Sequence, residues 1–404
     1  MRPLASVAVA LLALSGTPLA AAEGSDTEPK LLLMHYMPWY QTPEVSGNWG
    51  GHWTGWEKQH DPTKTNDEGL PDIWSNFHPL IGVYDSSDPD VIECHLLQMK
   101  LAGIDGVIVD WYGITDLHDY GLNHEATKVI FDEIDDVGMK FATCFEDRTI
   151  EQLVEKGRVE PDGVTERLRE TFAWMDEHWF NDPRHVRVDD RPLLLDFGPI
   201  YVKDAEPWND ALGSISPRPM FFALHHLWKG IGADGGFTWV HQDVWKNDPT
   251  EDEIARRLQG VFTHTSDDPD RVIVSALPGF RDVYAHHYPT VEHRDGATLR
   301  ETLGAAMRSG SPIVQLVTWN DYGEGTVIEP THEFGYLFLE IIQEARRREI
   351  GESFTFTADD LRLPARLLEL RRRGDLDDER LDRVARLLSR DDCRAASEAI
   401  EAME

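Results

Sequence analysis

Asp321 and Glu324 are the residues of this chain best suited, by type and spacing, to chemistry. Two carboxyls three residues apart, just past an apolar run, can enter one pocket if Gly323 lets the chain turn between them. Cleavage of a glycosidic bond needs such a pair. One carboxyl protonates the leaving oxygen, and the other attacks, stabilises or activates at the anomeric carbon. The competing interpretation is a solvated acidic loop, an ordinary feature of a chain with 73 Asp and Glu.

Whether such residues meet depends on the elements that carry them. Eight short apolar runs recur along the chain: Leu31–Tyr36, Gly106–Asp110, Lys140–Phe145, Pro192–Asp196, Met220–Leu224, Phe237–Val240, Val272–Ala276 and Ile313–Thr318. Each is bounded by Gly, Pro or polar residues, as strands buried on both faces are. Helical patterns are expected over 90–102, 123–137, 164–179, 251–262, 297–307 and 334–345; the connections after the fourth and fifth runs have no clear pattern. Eight strands alternating with helices imply an α/β fold, a (β/α)8 TIM barrel. An open doubly wound sheet is the alternative, weakened by the lack of a Gly-rich phosphate loop after the first run.

A barrel's active site lies at the C-terminal ends of its strands. His35 and Tyr36 close the first run, followed by Trp39 and Tyr40. Asp110, Trp111 and Tyr112 follow the second, Glu146 the third and Asp196 the fourth. His225 and His226 follow the fifth, Trp239 and His241 the sixth and Arg281 the seventh. Asn320, Asp321, Tyr322 and Glu324 follow the eighth. Carboxylates and aromatic rings thus share one rim, which suits sugar: flat faces stack on pyranose rings and carboxyls move protons. Asp110 and Glu146 could equally be structural carboxylates bonded to neighbouring loops.

The first βα loop, residues 37–88, is far longer than usual. It carries Trp39, Trp49, Trp53, Trp56 and Trp74, five of the 13 tryptophans. A disordered linker lacks such aromatics, so the loop is expected to be a folded wall over one end of the barrel. Beyond the barrel, residues 23–350, a C-terminal extension at 351–404 is expected to form two amphipathic helices, Leu363–Arg372 and Asp377–Ser389.

Residues 1–22 have a secretory signal pattern: Arg2, an apolar run from Leu4 to Leu14, and small residues at Ala20 to Ala22. That run is too short for a membrane span. Secretion or periplasmic export is therefore expected, with no membrane insertion. Removing this segment takes away only Arg2, moving the formal charge from −34 to −35. So acidic a chain repels phosphate backbones, so no nucleic-acid partner is expected. The three cysteines, Cys94, Cys144 and Cys393, form no CxxC pair, and Cys144 reads as a small core hydrophobe.

His35, His225, His226 and His241 raise a metal hypothesis. No HExxH or similar ligand spacing accompanies them, so no metal and no cofactor is expected. The absence of GxSxG, Walker and dinucleotide motifs argues against serine hydrolases, kinases and dehydrogenases.

The segment Leu316-Val-Thr-Trp-Asn-Asp-Tyr-Gly-Glu-Gly-Thr-Val-Ile-Glu-Pro330 resembles the last-strand motif of glycoside hydrolase families 99 and 71, the endo-α-mannosidase and endo-α-1,3-glucanase groups. His35-Tyr-Met-Pro-Trp-Tyr40, the stretch 103–113, Phe145-Glu146 and Ser275–Asp282 resemble other family-99 segments in the same order. The resemblance spans roughly residues 30–345. It implies that Glu324 is the general acid/base. It aligns Asp321 with the family's first motif Glu, which is thought to act as base toward the sugar 2-hydroxyl. Asp is one methylene shorter, setting its carboxylate about 1–1.5 Å further back. The Asn-Asp-Tyr-Gly-Glu wording is closer to family 71, and Gly-Thr-Val-Ile-Glu-Pro to family 99.

The expected activity is hydrolysis of an α-linked polysaccharide or oligosaccharide, α-mannan-like or α-glucan-like. Asp321 and Glu324 are the expected catalytic pair. Contacts to sugar are expected from His35, Tyr36, Trp39, Tyr40, Asp110, Trp111, Tyr112, Glu146, Trp239, His241 and Glu329, with Asn320 and Tyr322 orienting the pair. A non-catalytic carbohydrate-binding protein is one alternative; a metal-dependent hydrolase using the histidines is another.

Overall fold

All eight apolar runs carry a strand in the computed structural model, which describes residues 28–247, 249–263, 269–285 and 288–404. The expected signal peptide, residues 1–22, lies outside the described residues. The strands are β1 (Leu31–Tyr36), β2 (Gly106–Trp111), β3 (Lys140–Phe145), β4 (Arg191–Asp196), β5 (Met220–Leu224), β6 (Gly235–Phe237), β7 (Val272–Ala276) and β8 (Ile313–Leu316). Each pairs in parallel with the next, and β8 pairs with β1, so the sheet closes into a barrel. A two-residue antiparallel strand, Arg187–Val188, edges β4.

Side chains alternate across a strand, and this parity divides the core in two. Leu33, Ile108, Ala142, Cys144, Leu193, Leu195, Phe222, Phe237, Ile273 and Ile313 fill the barrel interior. Their neighbours Met34, Val107, Val109, Phe141, Leu194, Phe221, Val274 and Leu316 face the helical layer.

Around the barrel lie α1 (Pro89–Leu101), α2 (Tyr120–Val137), α3 (Arg148–Glu155), α4 (Val164–Met175), α5 (Ala205–Gly213), α6 (Glu251–Thr263), α7 (Ala297–Arg308) and α8 (Leu337–Ile350). Local signals set their limits. The Asp88 side chain accepts the Asp90 N–H ahead of Pro89 to start α1, and Gly138, at φ 76°, ends α2. The unclear connection after β4 contains α5. After β5 there is no α-helix, only the 3-10 turn Trp228–Ile231.

The sixth strand corrects the expected Phe237–Val240. Strand pairing begins at Gly235 and ends at Phe237, leaving Trp239 and His241 in the loop beyond. The glycines allow a close approach: a Cβ on Gly235 would lie 2.5 Å from the Arg271 carbonyl oxygen, and one on Gly236 would lie 2.6 Å from the Trp228 ring. Apolar runs reveal strands by their side chains, so a strand that opens on two glycines is displaced in such a reading.

The first βα loop is folded. Tyr40, Trp53, Tyr84 and Tyr322 pack as a buried aromatic group, and the Trp53 indole N–H donates to the Tyr84 carbonyl at 2.9 Å. The C-terminal extension has three helices rather than two: α9 (Leu363–Arg373), α10 (Asp378–Ser389) and α11 (Cys393–Glu401). Asp392 caps the third, accepting from the Ala395 N–H. Leu367, Leu370, Val384, Leu388 and Ile400 join the same apolar layer as the barrel helices. Arg371 ties α9 to α1 through Glu93 at 3.0 Å.

Candidate active site

At the C-terminal end of the barrel a cavity of about 380 Å3 opens. Eight of the residues expected at the site line it: His35, Trp39, Asp110, Tyr112, Glu146, Trp239, Asp321 and Glu324. The loop after β8 brings the last two together. Asp321 N–H donates to Thr318 Oγ1 at 2.8 Å, Asp321 Oδ1 accepts the Glu324 N–H at 2.8 Å, and its carbonyl accepts from Gly325 N at 2.9 Å. The Asp321 carboxylate therefore has two tasks, closing the turn with one oxygen and facing the cavity. The left-handed residue in this turn is Gly325, at φ 65°.

Gly323 serves a different purpose from the turn expected of it. A Cβ there would fall 1.8 Å from Cζ of Tyr284, so the ring lies directly on the glycine. Tyr284 OH in turn is 3.0 Å from His52 Nδ1, while Val283 N–H and Arg281 N–H donate to the carbonyls of Gly323 and Glu324 at 2.8 Å. Gly323→Ala is expected to displace Tyr284 and this loop. Misplacement by about 1 Å can cost on the order of 10²-fold, so kcat/KM should fall by about 10–100-fold while the thermal transition stays cooperative. Steady-state kinetics with calorimetry check this.

Four carboxyls share the cavity, and they cannot all ionise side by side. Burial, then Asp321 and Asp282, hold Glu324 well above the usual carboxylate range. Burial pushes Asp321 up to about 7, against the opposing pull of the Glu324 N–H bond. Burial likewise pushes Glu146 up to about 7, opposed by Arg148. Asp110 is raised by burial and then by Glu146 and Asp321. Glu324 is thus the more strongly biased toward its protonated form, while Asp321 is poised to give its proton up.

Seven expected residues do not line this cavity. Strand parity accounts for two: with His35 and Asp110 pointing inward, Tyr36 and Trp111 must point outward. Trp111 packs beside Trp174 and Trp179 and donates to His124 Nδ1 at 3.2 Å. Tyr36 OH meets His95 Nδ1 at 2.9 Å. Glu329 lies behind the site, accepting from Tyr84 OH at 2.8 Å and Tyr322 OH at 3.0 Å, with His95 Nε2 at 3.2 Å from its other oxygen. Asn320 clamps Met37 through both its backbone groups, and Tyr40 OH donates to the Asn320 carbonyl at 2.7 Å. Asn320, Tyr322, Tyr40 and Glu329 accordingly hold the loop that presents Asp321. His241 lies beside His225, ring centres 5.9 Å apart.

The cavity also contains residues the sequence reading did not single out as contacts. Met37, Trp56 and Trp74 belong to the aromatic first loop, as does His52, which stacks on Trp39 at 4.3 Å. Phe197 follows Asp196 by one residue, as inward parity requires. Arg148 follows the Glu146 strand end by two. Tyr284 had no local signal. A second cavity of about 590 Å3 adjoins the first, sharing His52, Trp56, Tyr112, Glu146 and Arg148, and extends toward Trp49 and Tyr120.

Glycosyl hydrolase family 99 matches residues 28–217. A glycoprotein endo-alpha-1,2-mannosidase-like protein of Danio rerio is 32% identical over 317 residues, covering 73% of this chain and 69% of that protein. A glycoprotein endo-alpha-1,2-mannosidase of Mus musculus is 25% identical over 321 residues, covering 73% of this chain and 66% of that protein. The chain therefore spans just under two thirds of the mouse protein's length. Among solved structures, the GH99 endo-alpha-mannosidase from Bacteroides thetaiotaomicron superposes with a TM-score of 0.59 at 19% identity, over 79% of this chain and 97% of that one.

Proposed function

Because this chain belongs to glycosyl hydrolase family 99, and is a glycoside hydrolase on that ground, we propose that it cleaves an internal α-mannosidic linkage. The observation that carries this reading is the convergence of Asp321 and Glu324 on one aromatic-walled cavity with both carboxyls held above their usual range. The names of the mouse and Danio rerio relatives and of the Bacteroides enzyme support mannose over glucose. The adjoining second cavity supports internal cleavage, since sugar units can continue beyond the catalytic pair.

In the mechanism, Glu324 donates its proton to the departing glycosidic oxygen. Asp321 takes a proton from the attacking group, either a water or a hydroxyl of the substrate. Asp110, Glu146 and His35 face sugar hydroxyls, and Trp39, Trp56, Tyr112 and Trp239 supply flat walls. The signal-like segment at residues 1–22 supports export from the cytoplasm as the setting.

Proton NMR of the protein with α-mannan and α-glucan oligosaccharides tests the reading. New anomeric signals are expected from α-mannosides alone, and turnover of α-glucans alone would overturn the substrate class. The pH profile follows from the two shifts. The base must be ionised, so kcat/KM is expected to fall as pH drops through about 7, where Asp321 takes up its proton. The acid must be protonated, so a second decline sets in at higher pH, as Glu324 loses its own. Both limbs belong to the coupled pair. A profile flat down to pH 5 would contradict the assignment.

A further inference from the structure

Three buried, inward-facing side chains, two of which line the catalytic cavity, make a second arrangement that proton transfer does not require. His35 on β1, Asp110 on β2 and Cys144 on β3 come from adjacent strands, and Asp110 and Cys144 are register partners. Their exposures are 0%, 2% and 0%. One donor atom from each lies within 4.8 Å of the other two. His35 Nε2 and Asp110 Oδ2 are buried without a hydrogen-bond partner. Leaving a buried polar atom unpaired is costly, so two such atoms on residues of one donor cluster suggest a ligand between them.

The orientation of His35 is set from behind. Gln315 Nε2 donates to the Thr238 carbonyl at 2.8 Å and to Ser275 Oγ at 3.2 Å, which fixes the amide. Its Oε1 therefore faces His35 Nδ1, at 3.5 Å, as acceptor. Nδ1 then carries the proton, which leaves Nε2, the buried atom without a partner, with a free lone pair. Metal-binding histidines are commonly held in this way, with the other ring N–H given to an oxygen.

We propose that His35 Nε2, the Asp110 carboxylate and Cys144 Sγ bind one borderline-soft divalent cation of the Zn2+ class, with a fourth position open to the catalytic cavity. Thiolate, imidazole and carboxylate together suit Zn2+ or Co2+ rather than Mg2+ or Ca2+. A tetrahedral ion with these bond lengths sets its donors roughly 3.3–3.7 Å apart. Ligation thus draws the three side chains in by about 1 Å from the outer limit of their present spacing. The Cys144 thiol proton and the proton that burial favours on Asp110 leave to solvent as the S–metal and O–metal bonds form, with no change of oxidation state. His35 and Asp110 also line the sugar cavity, so an ion held there competes with substrate and inhibits. Only this inhibitory consequence rests on the hydrolase reading; the binding itself does not.

The test titrates Co2+ into purified metal-free full-length protein and follows the thiolate-to-cobalt charge-transfer absorption. One equivalent is expected to raise the band and Zn2+ to displace it. Cys144→Ser is expected to abolish the band and weaken Zn2+ binding at least about tenfold, whereas Cys94→Ser and Cys393→Ser keep it. Asp110→Asn is expected to weaken binding with the band retained, which separates site loss from misfolding. On the hydrolase, Zn2+ is expected to inhibit wild type and to lose that effect in Cys144→Ser. No band, or a band that survives Cys144→Ser, overturns the site even if hydrolysis is found. Conversely, a one-equivalent band lost with Cys144 upholds the site even if no tested glycan is cleaved.

Discussion

Glu324→Gln is expected to lower kcat/KM on α-mannoside oligosaccharides by about 10²–10⁴-fold, the usual worth of a positioned general acid. Gln has the same length and shape but no acidic proton. The fold should not suffer, because burial already opposes the charged form of this side chain. Sugar binding by the variant should therefore persist, as measured by calorimetric titration, with an unchanged or higher melting temperature. The choice of substrate sharpens the test. An aryl glycoside with an acidic phenol as leaving group needs little protonation, so the loss on that substrate should shrink to roughly tenfold or less. A variant that turns over oligosaccharides like wild type would mean the acid lies elsewhere, with Glu146 next to be tested.

Asp321→Asn should be as damaging, by about 10²–10⁴-fold, for a different chemical reason. Asn cannot take up a proton from the attacking group, but its Oδ1 can still accept the Glu324 N–H that closes the turn. The loop should therefore stay in place while the base is lost. No rescue by an acidic phenol is expected, and the acid limb of the pH profile near 7 should disappear. Asp321→Ala removes both functions. It should be as inactive as Asp321→Asn and additionally less stable by about 1 kcal/mol, one hydrogen bond's net worth. Kinetics paired with denaturant unfolding separate the two variants. Equal stabilities for Asn and Ala would show that the turn does not depend on this carboxylate.

Much of the site was legible because barrel strands advertise themselves. Short apolar runs located seven and met the sixth at Phe237 alone, and the rule that barrel chemistry sits past their C-terminal ends pointed to Asp110, Glu146, Trp239, Asp321 and Glu324. Phase within a strand was the harder quantity. His35 and Tyr36 are both plausible sugar contacts by type, as are Asp110 and Trp111. In a strand buried on both faces the residues on either side are apolar, so composition gives no phase. Hydrogen bonding was equally hidden: nothing local to Glu329 predicts Tyr84 and Tyr322 as its partners. Tyr284 stands in a loop without periodicity, and its place on Gly323 depends on two loops meeting across the barrel mouth.

The sequence by itself favoured a parallel barrel over an open doubly wound sheet and located the aromatic wall after β1 and the acidic pair after β8; the β8–β1 pairing closed the barrel. The sequence readings follow from hydrophobic periodicity, loop length and residue type, all of which are local. The tertiary structure alone decided which carboxyls share a cavity and which of them burial biases most toward the protonated form. It also decided that Tyr36, Trp111 and Glu329 support the site from outside it. The reason is that pKa values, strand phase and unpaired buried donors depend on distances between residues far apart in the chain. Those distances exist only once the barrel has closed and brought β1, β2 and β3 alongside β8.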